Sequence, residues 1–291
     1  MELATSEGCK YAPYNVGETL TLLFKQSSAS SPVHITPKVI HIFPMTMSAV
    51  FLVELNQSKK AIVKLYDRRT AFSLRKTMIR EIKTSNNKTR EHDYRRFIET
   101  GFADTLNSTT YAGTSGEDEV FIHRACINLF NTELGAYEKL KILQGSSIPI
   151  LYGVVTLRIS ETSQTRQRYF DIPGLMLEYV EGYNLLDASL FVQKEEVKRL
   201  TFESTRVLAQ IGALGVHNRK PHPSQILIRH ERPVFLDFAI SRLRDDFESQ
   251  EEWYDKTKSA EGTLESVLAE ILARDEEVSS QPSSDLFTSS I

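Results

Sequence analysis

The first residue whose type and place could do chemistry is Lys64, in the apolar run Ala61-Ile-Val-Lys-Leu-Tyr66, where Val63 and Leu65 alternate with it. A charge on a strand face meant for burial is costly unless something pairs with it. The alternative is a lysine whose stem lies along a sheet edge with its ammonium in water. Glu133 offers the partner. Leu129, Phe130, Ala136, Tyr137, Leu140 and Leu143 form one apolar stripe at helical spacing, and Glu133 falls within it while Glu138 points elsewhere. A carboxylate on the inward face of a helix and a lysine on an inward strand can solve each other's desolvation problem; a solvated helix edge is the other reading of Glu133. The third residue is Asp237, which ends the apolar strand Pro233-Val-Phe-Leu236. A carboxylate there is well placed to hold magnesium, which takes one or two carboxylates and completes its shell with phosphate oxygens. An isolated aspartate at a strand end is otherwise a turn or cap residue.

The elements that must position these groups follow from hydrophobic period and turn chemistry. Val39–Phe43, Ser48–Leu55 and Ala61–Tyr66 read as strands, with Lys59 and Lys60 at a turn. Residues Val120–Leu143 read as a helix, Ile148–Leu157 and Tyr169–Tyr179 as strands, and Gln193–Leu214 as a helix with apolar positions at Val197, Leu200, Val207, Leu208 and Ile211. Short strands at 226–228 and 234–236 and a closing helix at Thr263–Arg274 complete the pattern. A strand-rich part followed by a helix-rich part predicts an α+β, two-lobed chain. Its expected segments are a flexible leader at 1–36, an N-lobe and hinge at 37–182 with an insertion at 67–119, a truncated C-lobe at 183–277, and a disordered Ser-rich tail at 278–291.

In order and spacing these residues resemble the protein-kinase superfamily. Ala61-Ile-Val-Lys64 resembles its third-strand lysine motif, Glu133 the partner glutamate on the C helix, and Asp237-Phe-Ala239 the Asp-Phe-Gly motif with alanine for glycine. Leu177-Glu-Tyr-Val-Glu-Gly182 resembles the hinge, which implies nucleotide contacts at Glu178 and Val180. The resemblance is nearest to a group of fungal protein-kinase-like proteins, through Val63-Lys-Leu-Tyr-Asp-Arg-Arg69, Tyr94-Arg-Arg-Phe97 and Leu143-Gln-Gly-Ser-Ser-Ile-Pro149, and covers roughly residues 38–245. It implies a kinase-like fold, nucleotide binding through Lys64 and Glu133, and ATP with Mg²⁺ as the ligand pair, the metal held by Asp237 and Gln225.

The resemblance breaks where phosphoryl transfer is done. Kinases use a catalytic-loop aspartate to accept the substrate proton and, five residues on, an asparagine for a second magnesium. Aligning Gln225-Ile-Leu-Ile228 with the usual Asn-Ile-Leu-Val puts Lys220 where the aspartate belongs, and no aspartate occurs between Asp187 and Asp237 to rescue the register. Lysine cannot serve as a carboxylate base, and its charge would compete with a metal for phosphate oxygens. Gln225 still offers an oxygen, one methylene further out, and His222 is the candidate substitute base. No Gly-x-Gly-x-x-Gly precedes Lys64, the turn Phe43–Ser48 holds no glycine, and no Ala-Pro-Glu follows Asp237, so the peptide-docking platform of protein kinases is expected to be missing. The expectation is a pseudokinase or regulatory module that binds nucleotide and an unidentified protein partner. Its rival is an active phosphotransferase with a rebuilt catalytic loop.

Bulk properties exclude less. A net charge of −3 with 25% charged residues gives no global reason to expect nucleic acid or membrane as a partner. A basic stretch from Lys59 to Arg96, including Arg68, Arg69, Arg75 and Arg90, is interspersed with acids and reads as a solvated helical face rather than an anion-binding surface. Cys9 and Cys126 read as buried thiols of a reducing compartment, and Met1–Lys10 has no signal-peptide core. Cytoplasm or nucleus is the expected location.

Overall fold

A computed structural model of the chain describes residues 13–26, 31–78, 87–159 and 164–257, together with 262, 264 and 266. The architecture is α+β, and the chain divides into two units, Met1–Leu134 with Ile150–Tyr179 and Gly135–Pro149 with Val180–Ile291. The first unit carries strands β1 (Leu22–Gln26), β2 (Val33–Ile35), β3 (Lys38–Ile42), β4 (Ala49–Glu54) and β5 (Lys60–Leu65). Helices α1 (Phe72–Met78), α2 (Asn87–Thr100) and α3 (Ser115–Lys139) follow, the last turn of α3 being counted with the second unit. Strand β6 (Leu151–Arg158), the helical turn α4 (Gln164–Gln167) and strand β7 (Asp171–Glu178) complete the first unit.

Seven strands form one antiparallel sheet in the order β2-β1-β6-β7-β5-β4-β3. The sheet curls until its ends meet, because the chain before β1 bonds to β3: Gly17 N–H donates to Val39 O at 2.8 Å, and Val39 N–H to Glu18 O at 2.8 Å. Alternation along the strands sorts side chains by face. Ala49, Phe51 and Val53 of β4 and Ala61, Val63 and Leu65 of β5 turn inward to a core shared with Leu22, Val39, Val155, Ile172 and Met176. Lys64, between two inward residues, is thereby forced to the outer face. There it stands beside Leu175 of β7, its partner in register, which is itself fully buried.

Helix α3 has a reciprocal N-terminal cap. The Glu117 carboxylate accepts the Thr114 N–H at 2.9 Å and the Thr114 hydroxyl accepts the Glu117 N–H at 3.4 Å, so two backbone donors at this end are satisfied. Gly116, on the first turn, lets α2 come close. A Cβ there would lie 2.8 Å from the Phe97 Cβ and 2.9 Å from the Asp93 carbonyl oxygen.

The second unit contains β8 (Tyr183–Asn184), α5 (Lys194–Ala213), β9 (Val216–His217), β10 (Ile226–Arg229), β11 (Arg232–Phe235) and β12 (Arg242–Leu243). Strands β11, β10 and β8 form a small sheet, and β12 pairs with β9. Helix α5 buries Val197, Leu200, Val207, Leu208 and Ile211. Trp253, on the helical stretch 250–257, donates its indole N–H to Gly212 O at 2.7 Å.

Two expectations need correction. Residues 13–26 and 31–36 are no flexible leader: β1 and β2 belong to the sheet, and Tyr14 donates its hydroxyl to Asp67 at 2.6 Å. Burial would raise the Asp67 carboxyl, but Arg69 beside it more than offsets this and holds it below its ordinary value. Serine-rich flanks hid the alternation of Leu20, Leu22 and Phe24. The basic stretch is only partly a solvated face: Lys59, Lys76 and Arg96 are exposed, but Arg68 and Arg75 are buried around Glu119. Arg80 and Lys83, positions 27–30, the tail from Val278 and most of the expected closing helix lie outside the described residues. Among the described residues no helix is long and apolar enough to cross a membrane.

Because Leu22 is fully buried in the curled sheet, Leu22→Ala is expected to destabilise the chain by about 2–5 kcal/mol in urea unfolding. A leader residue would give no change.

Candidate functional site

In the first unit, Lys64 and Glu133 meet. The Lys64 ammonium lies 2.6 Å from the Glu133 carboxylate, with side chains 7% and 1% exposed. Neither the sheet-edge lysine nor the solvated helix glutamate survives this geometry. The sheet forces Lys64 outward, and the stripe on α3 turns Glu133 toward it. A third residue, Tyr66, was not singled out from the sequence. It donates its hydroxyl to the same carboxylate oxygen and packs edge-on against Phe130, one turn before Glu133, at 5.7 Å. The available signal was its spacing: Lys64 and Tyr66 are two residues apart on extended chain, hence on one face. Burying these charges together is tolerable because ammonium and phenol both donate to one carboxylate.

Glu178 ends β7, and its side chain serves the neighbouring strand. Its carboxylate accepts the Ile150 N–H at 3.0 Å, while its own N–H donates to Ile150 O at 2.9 Å. Tyr179 is the last residue of the first unit, and Val180, buried, begins the second.

The second unit carries the remaining expected site residues. Lys220 is exposed, with its backbone N–H donating to the Asn218 side chain at 3.2 Å in a tight local turn. Asn218 itself is buried. His222 is exposed and caps the short helical turn Pro223–Gln225, its Nδ1 accepting the Ser224 N–H at 3.2 Å with the Ser224 hydroxyl 2.7 Å away. With Nδ1 accepting, the neutral ring carries its proton on Nε2 and presents a donor there rather than a base. This weighs against His222 as the substitute base.

Gln225 and Asp237 come to the same end of the β10–β11 hairpin. Ile226 pairs with Phe235, and the next rung is closed by Leu236 N–H donating to Gln225 O at 2.8 Å. Asp237 follows directly, in left-handed backbone at φ 61°, with its carboxylate accepting the Ala239 N–H at 3.2 Å. Aspartate tolerates this conformation through such local hydrogen bonds. Phe238 is fully buried and packs edge-on against Tyr137 at 5.7 Å. A carboxylate and an amide oxygen are hard donors of the type magnesium prefers. Among the described residues no three His, Cys, Asp or Glu cluster as a self-sufficient metal site. A divalent ion held here would need ligand oxygens to complete its shell.

Removing one partner of the buried pair leaves the other charge uncompensated. Lys64→Met and Glu133→Gln are each expected to cost about 3–5 kcal/mol in urea unfolding. The double variant should fall well short of their sum; strict additivity would show that the pair is not energetically coupled. No family model and no curated protein sequence matches the chain.

Proposed function

We propose that this chain is a two-lobed, protein-kinase-like domain that binds nucleotide and is defective in phosphoryl transfer, so that it acts as a regulatory or binding module. The observation that carries the reading is the buried Lys64–Glu133 pair at 2.6 Å. Kinases need such a strand-lysine to helix-glutamate pair to hold the nucleotide phosphates. Its setting supports the reading further, since Lys64 lies on the third strand of the meander β3-β4-β5 and Glu133 on the long helix that follows.

Each residue then has a defined task. Glu133 and Tyr66 fix the Lys64 ammonium, which serves the phosphates as a point charge. Asp237 and Gln225 would hold magnesium, which when bound neutralises charge on the phosphate oxygens. No carboxylate in the 218–225 loop can take a proton from a substrate hydroxyl. Lys220 stands at that position, exposed and cationic, and the Nδ1 of His222 is engaged as a cap. The parts that hold a nucleotide therefore remain while the base is gone. The rival reading, an active phosphotransferase, rests on phosphoryl transfer being mostly positioning and charge stabilisation, so that a lost base need not abolish turnover.

A thermal-shift titration tests the binding. ATP with Mg²⁺ is expected to raise Tm more than ATP alone, because a ligand bound only by the native state stabilises it. Asp237→Asn should erase the difference, and Lys64→Met should erase the shift altogether. Absence of any shift with either form of ATP would overturn nucleotide binding. Turnover separates the two readings. Wild type should show no ATP hydrolysis, while Lys220→Asp with Gln225→Asn should introduce it, general-base catalysis being worth roughly 10²–10⁴-fold. Turnover by wild type that His222→Ala abolishes would establish the rival.

A further inference from the structure

The 67–119 segment contains the largest assembly of buried charge among the described residues, and the Lys64–Glu133 pair does not account for it. Glu119, on the second turn of α3, is 1% exposed and has both oxygens occupied by guanidinium groups, Arg68 at 2.7 Å and Arg75 at 2.6 Å. Arg75 also donates to the Arg68 carbonyl oxygen at 3.2 and 3.3 Å, which welds α1 to the turn after β5. Arg68 pairs on its other side with Glu91 of α2, and its guanidinium lies 3.6 Å from the centre of the Tyr94 ring. Burial alone would lower the Arg68 pKa, but Glu119 and then Glu91 more than offset it and hold the group above its ordinary value.

The placement of these groups along the chain is regular. Lys64, Tyr66 and Arg68 are alternate residues of one run and all reach α3, the first two at Glu133 and the third at Glu119. Leu65 turns to the inner core, and Asp67 bonds Tyr14 instead. On α3 the two carboxylates are 14 residues apart, just under four turns and about 21 Å along the axis. The helix is therefore fastened to one chain run at two separated points. Such fastening resists rotation as well as sliding, whereas a single ion pair resists neither well. Releasing Glu119 would leave the Arg75 guanidinium, 6% exposed, without its paired carboxylate and Arg68, 7% exposed, with Glu91 alone.

We propose that Glu119, clamped by Arg68 and Arg75, is a positioning residue that holds α3 in register so that Glu133 meets Lys64. The insertion is thus an internal strut: α1 supplies Arg75, α2 supplies Glu91 and Tyr94, and the close approach at Gly116 keeps α2 against α3. This rests on the Lys64–Glu133 site described above but not on what that site binds.

The test separates positioning from mere stability. The coupling between Lys64→Met and Glu133→Gln is measured by urea unfolding, without nucleotide, in the wild-type chain and again in the Glu119→Gln background. Glu119→Gln lowers stability in either case, but only a positioning role lowers the coupling. The expected result is a coupling, expressed as a factor in the unfolding constant, reduced about tenfold. An unchanged coupling overturns the proposal, whatever the loss of stability. Arg75→Met, which leaves Arg68 on Glu119, carries the same comparison if Glu119→Gln does not fold, with a smaller reduction expected. ATP titration of the same proteins keeps the two readings apart. Reduced coupling with no ATP binding in wild type supports the strut and removes the nucleotide. ATP binding with unchanged coupling removes the strut alone.

Discussion

The organisation of the first unit follows from the cost of placing charge on the buried side of a helix. Helix α3 carries Glu119 and Glu133 toward the sheet, each 1% exposed, and an uncompensated carboxylate in such surroundings is not tolerated. Hydrogen-bond donors to these two carboxylates come from β5 and the segment after it: Lys64, Tyr66, Arg68 and Arg75. The strand must therefore lie with its even-numbered side chains toward α3 and its odd-numbered ones in the curled core. A shift of one residue would bury Leu65 against carboxylates and turn Lys64 into hydrocarbon. Charge pairing and apolar alternation thus specify one register, and each would be violated in any other.

A buried ion pair contributes little net stability compared with a well-packed apolar pair. At Lys64 and Glu133 the pairing instead fixes which face of the strand meets the helix, the carboxylate accepting from both the ammonium and the Tyr66 phenol. The second unit shows the opposite chemistry. Its loop at 218–225 is stabilised by small local devices, the Asn218 turn and the His222 cap. Asp237 retains a conformation costly for a non-glycine residue, φ 61°.

The sequence by itself determined the strands β3 to β7 and the helices α3 and α5, and it pointed to the pairing of Lys64 with Glu133 that the structure then decided. Each rests on short-range periodicity, and a charge inside an apolar stripe betrays the need for a partner. It also determined that no aspartate lies between Asp187 and Asp237. Tertiary structure alone decided the rest. Leu22 lies in a short apolar run just before the Ser-rich stretch Ser27–Ser31, and only closure of the sheet buries it. Arg68, Arg75 and Glu119 read as solvent-facing in a polar, charged segment, because a local window sees each charge and not the counter-charge 51 or 44 residues away that makes burial affordable. Tyr66 joined the site through the same long-range closure. Periodicity reports which face of an element is apolar. Which charges that face can accept depends on what packs against it, and that is settled only when distant segments meet.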